Sequence, residues 1–185
     1  QGTIITGITI TGSVSNSGGS LVNVNTSDIT INRCFINADA YYYSSAYSGS
    51  ALLVGSGANN VVINQSYIYM SRAWNSSSTT TVSYNVYALY FGGNNSNIII
   101  ANNIIKQGSK TTATTKSTQY SIYMQTSSSA IFTNNIVMGS WRVYNSNLSN
   151  NIQIIGGNHG NIIESSSYPN VYYNNIGHST QFGTT

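Results

Sequence analysis

The sequence predicts an all-β fold of stacked, parallel coils, and two observations carry this prediction. The first is an internal repeat, in which short runs of alternating Ile or Val recur beside Asn- or Ser-containing turns. The second is the turn chemistry, because Asn and Gly are plentiful while Asn-Gly and Asp-Gly, the strongest tight-hairpin signals, do not occur. A repeat unit that cannot bury its apolar face alone must stack on its neighbours. The missing hairpin signals favour parallel coils over an antiparallel meander.

The repeat is clearest in four segments along the first three quarters of the chain. Their apolar residues alternate with period two in short runs, which is typical of strands and not of helices. The segments are Asp28–Ile36, Asn60–Ile68, Asn97–Ile105 and Ser129–Val137, with weaker copies at Asn151–Ile154 and Asn170–Ile176.

Each coil is predicted to contain three strands, and about seven coils fit the chain, each rising ~4.8 Å. A first strand precedes each repeat segment, and the second and third strands lie within it. The second strands are Ile29–Ile31, Val61–Ile63, Ile98–Ile100, Ala130–Phe132, Ile152–Ile154 and Val171–Tyr173.

The chain is predicted to be a single β-solenoid domain, residues 1–185, with coils of unequal length. The extra residues fall between the third strand of one coil and the first strand of the next. These insertions are near 37–50, 70–86 and 107–120. Insertions at one corner of a solenoid lie on one face, which is often the binding face.

The phrase Ile-x-Ile-x-x-Asn-x-Ile at 98–105, and more loosely 130–137, resembles the repeats of the right-handed parallel β-helix superfamily. That superfamily includes pectate-lyase-like and NosD-like proteins, and the likeness covers nearly the whole chain. The resemblance implies a right-handed parallel β-helix, a three-strand β-solenoid. It implies little about function, because one fold supports many functions.

Alternate strand positions are expected to face the core, as in Ile31, Ile63, Ile100 and Phe132. At the following corner, an inward column is expected to form a hydrogen-bonded ladder, since buried polar groups need partners. Stacked asparagines form such ladders in the family that the chain resembles. The ladder residues are Cys34, Ser66, Asn103 and Asn135. Cys34 is interpreted as a small buried filler, with a reactive thiol as the alternative.

Two columns that should face outward are mostly apolar, which is typical of an interface. Two alternatives stay open: the insertions fold back over these columns, or the register is one residue off. One column includes Ile99 and Ile131. The other is Phe35, Tyr67, Ile104 and Ile136.

Composition excludes several classes of function. Only 5% of the residues are charged, and the six basic residues are scattered, so no basic stripe for nucleic acid is present. The single cysteine rules out an intrachain disulfide. No apolar run reaches the ~18 residues of a membrane span.

The sequence predicts no catalytic site, no cofactor and no metal centre. Its carboxylates are Asp28, Asp39 and Glu164, too few and too dispersed for a calcium-dependent lyase or a paired-carboxylate glycosidase. His159 and His178 are a weak metal candidate, because their separation of 19 (178 − 159) equals that of the strands starting at 152 and 171. No third ligand is evident.

Tyrosine is enriched, with 15 residues, and several tyrosines are one coil apart. Aromatic rings with polar tips suit the stacking of carbohydrate or protein interfaces, and ordinary cross-coil packing is the alternative. The candidate stacking residues are Tyr87, Tyr120, Tyr90, Tyr123 and Trp74.

The leading functional hypothesis is a secreted, non-enzymatic structural β-solenoid that self-associates into an extracellular filament, sheath or surface layer. It rests on the missing acid–base groups, the apolar outer columns and a strand pattern that begins almost at Gln1 without a capping helix. The expected partner is the chain itself. The alternative is a carbohydrate-binding adhesin or phage tail-fibre-like module with a polysaccharide partner, and a carbohydrate-active enzyme is a distant third.

The chain is expected to be extracellular or on the cell surface, with a signal peptide removed before Gln1, or else it is simply a trimmed chain. Glycosylation sequons would be used only in a glycosylating host. They lie at Asn25, Asn64, Asn75, Asn94 and Asn147.

Overall fold

The structure is a computed structural model. It describes residues 2–14, 19–42, 47–75, 84–110, 117–125, 127–139, 141–144, 147–148, 153–155, 161–164 and 180–182. In these ranges the regular secondary structure is all β, and no helix is present.

The strands are numbered along the chain. They are β1 (Thr3–Thr6), β2 (Thr9–Val14), β3 (Gly19–Val24), β4 (Ile29–Asn32), β5 (Phe35–Tyr42), β6 (Tyr47–Val54), β7 (Val61–Asn64), β8 (Tyr67–Asn75), β9 (Tyr84–Phe91), β10 (Ile98–Ala101), β11 (Ile104–Lys110), β12 (Ser117–Met124), β13 (Ala130–Thr133), β14 (Ile136–Met138), β15 (Trp141–Tyr144), β16 (Asn147–Leu148), β17 (Gln153–Ile155), β18 (Asn161–Glu164) and β19 (Thr180–Phe182).

Three parallel sheets contain these strands. Sheet A has the order β1-β4-β7-β10-β13-β16, sheet B has β2-β5-β8-β11-β14-β17, and sheet C has β3-β6-β9-β12-β15-β18-β19. From β1 to β18 each strand is followed by a strand in the next sheet, and the path returns to the first sheet one level higher. This stacked arrangement is the one expected for a parallel β-helix, and it confirms the fold class predicted from the repeat.

The assignment of Ile152–Ile154 to the second strand series was wrong. The structure places β17 in sheet B, where Ile136 is paired with Gln153, and continues sheet A with β16, where Phe132 is paired with Leu148. An Asn-Asn-Ile sequence follows sheet A at residues 102–104 and 134–136, and the same sequence at 150–152 also leads into sheet B. The predicted strand Val171–Tyr173 lies outside the described residues.

The turn from sheet A to sheet B explains the polar residues between the two apolar strands. Arg33, Gln65, Asn102 and Asn134 adopt left-handed backbone conformations, with φ of 53°, 49°, 58° and 52°. Asparagine tolerates this conformation better than branched residues do. The backbone stays paired through the turn, because Gln65 N donates to Ala101 O and Asn102 N donates to Thr133 O, both at 3.1 Å.

The core lies between the three sheets, and its composition follows the predicted alternation. The columns headed by Ile29, Ile31 and Ile36 are buried on all four coils of the clear repeat. Alternate residues of the sheet C strands are buried as well, while Val22 on β3 is half-buried. The buried residues are Leu52, Val54, Leu89, Phe91, Ile122 and Met124. The one-residue register error considered for the sequence is therefore excluded for these coils.

The described parts of the predicted insertions are strand. Residues 37–42 extend β5, residues 70–75 extend β8 and residues 107–110 extend β11. Strands β6, β9 and β12 likewise begin within the predicted insertion ranges. Sheets B and C are therefore wider than sheet A, whose strands from β1 to β13 contain four residues each.

Candidate ligand-binding groove

Two columns of side chains cross the outer face of sheet C in the order β3, β6, β9 and β12. Both change from smaller residues on β3 and β6 to tyrosine on β9 and β12. The first column is Ser20, Ser50, Tyr87 and Tyr120, and the second is Asn23, Leu53, Tyr90 and Tyr123. The predicted tyrosine pairs therefore do lie on neighbouring strands.

The structure also brings the two tyrosine columns together, which the sequence analysis did not predict. Strict alternation would place residues three apart on opposite faces of a strand. Here Ala88 and Leu89 are consecutive and both fully buried, so the alternation is broken between Tyr87 and Tyr90. The ring centroids of Tyr87 and Tyr90 lie 4.8 Å apart, and those of Tyr87 and Tyr123 lie 5.0 Å apart.

All four tyrosines therefore form one aromatic cluster, which we call the tyrosine wall (Tyr87, Tyr90, Tyr120 and Tyr123). Tyr87 and Tyr120 are stacked at 6.3 Å with an interplanar angle of 16°, and Tyr120 and Tyr123 lie 5.3 Å apart. Such aromatic pairs contribute about 0.5–1.5 kcal/mol beyond the area that they bury.

Hydrogen bonds hold two tyrosines of the wall, and burial affects the ionisation of Tyr87. The Gln125 Nε2 group donates to the Tyr90 hydroxyl at 2.8 Å, and Ser48 forms a side-chain hydrogen bond with Tyr87. Burial, followed by the nearby phenol groups of Tyr123 and Tyr90, raises the pKa of Tyr87 above that of an ordinary tyrosine. Tyr87 is therefore neutral at physiological pH.

A groove of about 270 Å³ lies where the small residues meet the tyrosine wall. Ser20 and Ser50 are hydrogen bonded to each other on its floor, and Gly19 is paired with Gly49 beside them. The lining consists of uncharged residues only, namely Gly19, Ser20, Asn23, Ser48, Gly49, Ser50, Leu53, Tyr87 and Tyr90. The volume is slightly below the ~300–1,000 Å³ of drug-sized pockets, which suits a small ligand.

The predicted ladder residues lie in a buried, hydrogen-bonded column between sheets A and B. Cys34 N donates to Ser66 Oγ at 3.1 Å, and Ser66 N donates to Asn103 Oδ1 at 2.8 Å. Asn103 N donates to Asn135 Oδ1 at 2.9 Å. The Cys34 thiol is buried and contacts the carbonyl oxygen of Asn32 at 3.3 Å.

A further buried asparagine was missed by the sequence analysis. Asn95, at the corner between sheets C and A, donates from Nδ2 to the carbonyl oxygens of Gly55 and Ala58 at 2.7 and 2.9 Å. Its Oδ1 accepts from Ser128 Oγ at 2.9 Å. The signal was present as a Gly-Gly-Asn-Asn sequence at 92–95, but it does not recur in identical form on the other coils.

The candidate interface residues all lie in outward columns. On sheet A, Ile131 is 41% exposed and Ile99 is half-buried. On sheet B, Phe35 is 38% exposed and its ring stacks on Tyr67 at 5.2 Å, with an interplanar angle of 4°. Ile104 and Ile136 are half-buried in the same column.

The described carboxylates are not in the groove. Asp28 lies at the turn before β4, where Oδ1 accepts from Asn60 Nδ2 at 2.9 Å. Asp39 lies within β5 and accepts a hydrogen bond from Ser71. Within the described ranges, no three His, Cys, Asp or Glu residues cluster as a metal site, and no helix is long and apolar enough to cross a membrane.

Two groups of predicted site residues cannot be placed in the groove. The backbone of Trp74 is paired with that of Tyr41 between β8 and β5, which places it in sheet B and not in sheet C. The structure does not describe the Trp74 side chain. His159 and His178 are also outside the described ranges.

Comparison of the chain with protein-family models, with curated proteins and with solved structures finds no match. The fold and the groove are therefore the basis for assigning a function.

Proposed function

We propose that this chain is a non-enzymatic, extracellular or cell-surface β-solenoid that binds a neutral saccharide in the groove on sheet C. The observation that supports the proposal is the change in side-chain size across the outer face of this sheet. The small residues Ser20 and Ser50 are followed by the large residues Tyr87 and Tyr90, and the groove lies between them. This favours the carbohydrate-binding alternative from the sequence analysis over a purely structural role. Self-association concerns other surfaces of the molecule.

The chemistry of the lining matches a sugar ring. Tyrosine presents an apolar ring face with a polar tip, so the wall offers a surface for the C–H face of a pyranose. The floor and rim offer hydroxyl and amide groups from Ser20, Ser48 and Asn23. A few polar groups in a concave, partly aromatic site fix the orientation of a ligand.

The lining of the groove carries no charge, and this favours neutral ligands over anionic or cationic ones. Uronic acids and sulfated sugars would place an anion beside residues that supply no Lys or Arg. A quaternary ammonium ligand suits an aromatic cluster, but here no carboxylate lines the groove and the chain carries a net charge of +3. A neutral hexose or N-acetylhexosamine unit is therefore the ligand that fits best.

Binding without turnover is proposed because the groove lining contains no acid–base pair. Glycosidic cleavage in most hydrolase families uses two carboxylates facing each other across the bond. Asp28 and Asp39 lie in the turn before β4 and in β5, and the backbone of Glu164 is paired with Tyr144 between β18 and β15. None of the three lines the groove.

Saturation-transfer NMR and titration calorimetry test the ligand class. Neutral oligomers of glucose and of N-acetylglucosamine would be compared with oligogalacturonate and with choline. The proposal expects saturable binding of a neutral oligomer. Binding of oligogalacturonate or choline alone, or no binding of any neutral oligomer in a broad glycan array, would overturn it.

Variants locate the binding. Gly19→Trp should abolish binding, because a Cβ at Gly19 meets no atom within 4 Å and the indole can occupy the groove without backbone strain. Thr11→Trp, which places the same ring on an exposed position of β2, is the matched control and should bind normally. Tyr90→Ala should weaken binding strongly, whereas Tyr90→Phe should keep the ring surface and most of the affinity.

A further inference from the structure

We infer that the outer face of sheet A docks a second copy of this chain, face to face, with a two-fold axis parallel to the direction in which the coils stack. This surface is separate from the groove on sheet C, and the inference does not depend on saccharide binding. It assigns the self-association expected from the sequence to one face and one geometry.

Sheet A is the most regular face of the molecule. From β1 to β13 the strands are paired in continuous register, Thr3 with Ile29, Ile29 with Val61, and so on to Ala130. Sheet B, by contrast, has a register shift between Ala38 and Asp39. Strands of equal length in continuous register give an even surface, which a second copy of the same surface can match.

The outer column of sheet A is apolar and accessible. It contains Ile4, Thr30, Val62, Ile99 and Ile131, one residue from each strand from β1 to β13, and it ends where Ile131 is paired with Asn147 on β16. Ile4 is 68% exposed and Ile131 is 41% exposed, so the largest exposed groups lie at the two ends of the column. The neighbouring outward positions are Thr, Asn or Ala, and the described part of this face has no charged residue.

In the described part of this face, charged residues lie at its edges, at the level of β4. Asp28 precedes β4 and Arg33 follows it, and both side chains are exposed. At β7 and β10 the corresponding edge residues are Asn60 and Gln65, and Asn97 and Asn102. The acid therefore lies on one edge of the face and the base on the other. This asymmetry determines which relative orientation of two docked copies is favourable.

A two-fold axis parallel to the stacking direction, placed over the apolar column, reverses the strands but keeps the coil order. Asp28 of one copy then lies over Arg33 of the other, and Ile4 and Ile131 each meet their own counterpart. Asp28 is two residues before Thr30 and Arg33 is three after it, so the longer Arg side chain covers the extra distance. An axis parallel to the strands would instead reverse the coil order and place equal edges over each other, so that Asp28 of one copy could not meet Arg33 of the other.

The size of the face predicts the strength of the contact. Five strands at ~4.8 Å and four residues at ~3.3 Å give a footprint of about 320 Å² per copy. Stable dimers usually bury about 800 Å² per partner, so this face supports a weak, concentration-dependent association. Exposed ion pairs add little affinity, and Asp28 and Arg33 serve mainly to fix orientation.

Sedimentation velocity over a wide concentration range tests the inference. The parent chain should form a dimer whose fraction rises with concentration. The double variant Ile4→Lys with Ile131→Lys should raise the dissociation constant by about tenfold or more. The control, Thr9→Lys with Thr11→Lys, adds the same charges to exposed positions on the outer face of sheet B and should dimerise like the parent. Circular dichroism verifies that each variant is folded.

A charge exchange tests the geometry separately and does not alter the apolar column. Asp28→Arg and Arg33→Asp should each weaken dimerisation, and the double exchange should restore it. Both positions already have left-handed backbones, with φ of 64° and 53°, so each accepts the other's residue type. A parent chain that stays monomeric at high concentration, polymers unaffected by the Lys pair on sheet A, or single exchanges without effect would each overturn the inference.

Discussion

The backbone N–H of Asn103 donates to the side-chain oxygen of Asn135, one coil further along, at 2.9 Å. Asn103 in turn accepts from Ser66 N at 2.8 Å and donates from Nδ2 to Ile63 O at 2.8 Å. The side chain of one buried asparagine thus forms hydrogen bonds with two backbone groups of the preceding coil, and its backbone N–H bonds to the asparagine of the following coil. This column of bonds satisfies polar groups that the corner between sheets A and B would otherwise bury unpaired.

Replacing Asn103 with Leu should therefore be strongly destabilising. The Ser66 N–H and the Ile63 carbonyl would lose their partner, and each buried group left unpaired costs about 1–3 kcal/mol. Thermal and urea unfolding would measure the loss.

The matched control is the neighbouring outward residue, Asn102. A leucine there would itself be strained, because Asn102 has φ of 58°. Asn102→Gly keeps the conformation and removes an amide whose hydrogen bonds with Asn64 and Asn134 are exposed to water, so it should cost much less. Equal losses in the two variants would contradict the buried ladder as a source of stability.

Much of the fold follows from the sequence because each coil reuses the same local pattern. The spacing between Ile31, Ile63, Ile100 and Phe132 predicts their common burial, and all four are at most 1% exposed. The turn before the third strand can also be predicted from the sequence. On several coils, Asn or Gln occupies the left-handed position and a polar residue follows it.

The groove could not be derived in the same way. It depends on the break in alternation at Ala88, which places Tyr87 and Tyr90 on one face. Period-two reasoning has no signal for such a break, because Ala fits either face of a strand. The assignment of Ile152–Ile154 failed for a related reason, since its Asn-Ile-x-Ile phrase resembles the start of both strand types.

Substitution of Ala88 tests the break directly. Ala88 is fully buried next to Leu89, so Ala88→Leu should overpack the core and destabilise the chain by about 1–3 kcal/mol. Ala101→Leu is the control, because Ala101 is half-buried on the outer face of sheet A. Urea unfolding of both variants provides the comparison, and a tolerated leucine at position 88 would show that this site faces outward.

Close approach of two strands makes Gly108 a second sensitive position. A Cβ on Gly108 would lie 1.8 Å from the backbone oxygen of Ser71, so Gly108→Ala requires the main chain of β8 or β11 to move. We expect a loss at or above the ~1–3 kcal/mol typical of overpacking. Gly19→Ala meets no atom within 4 Å and should be almost neutral. Melting temperatures that differ little between the two variants would argue against this close approach.

The raised pKa of Tyr87 predicts how stability depends on alkaline pH. Burial keeps the Tyr87 phenol protonated in the folded chain above the ordinary tyrosine pKa of about 10. The unfolded chain loses this proton first. The contribution of Tyr87 to stability is therefore present in full below about pH 10 and is lost as the pH rises through the folded-state pKa.

Urea unfolding from about pH 8 to 11 would compare the parent chain with Tyr87→Phe, which keeps the ring but cannot ionise. The two chains differ only in the Tyr87 hydroxyl, so the difference in unfolding free energy reports on this phenol. That difference should be constant up to about pH 10 and should then shift against the parent. Parallel stability profiles would mean that Tyr87 is as accessible to solvent as an ordinary tyrosine, and the packing of the tyrosine wall around it would have to be revised.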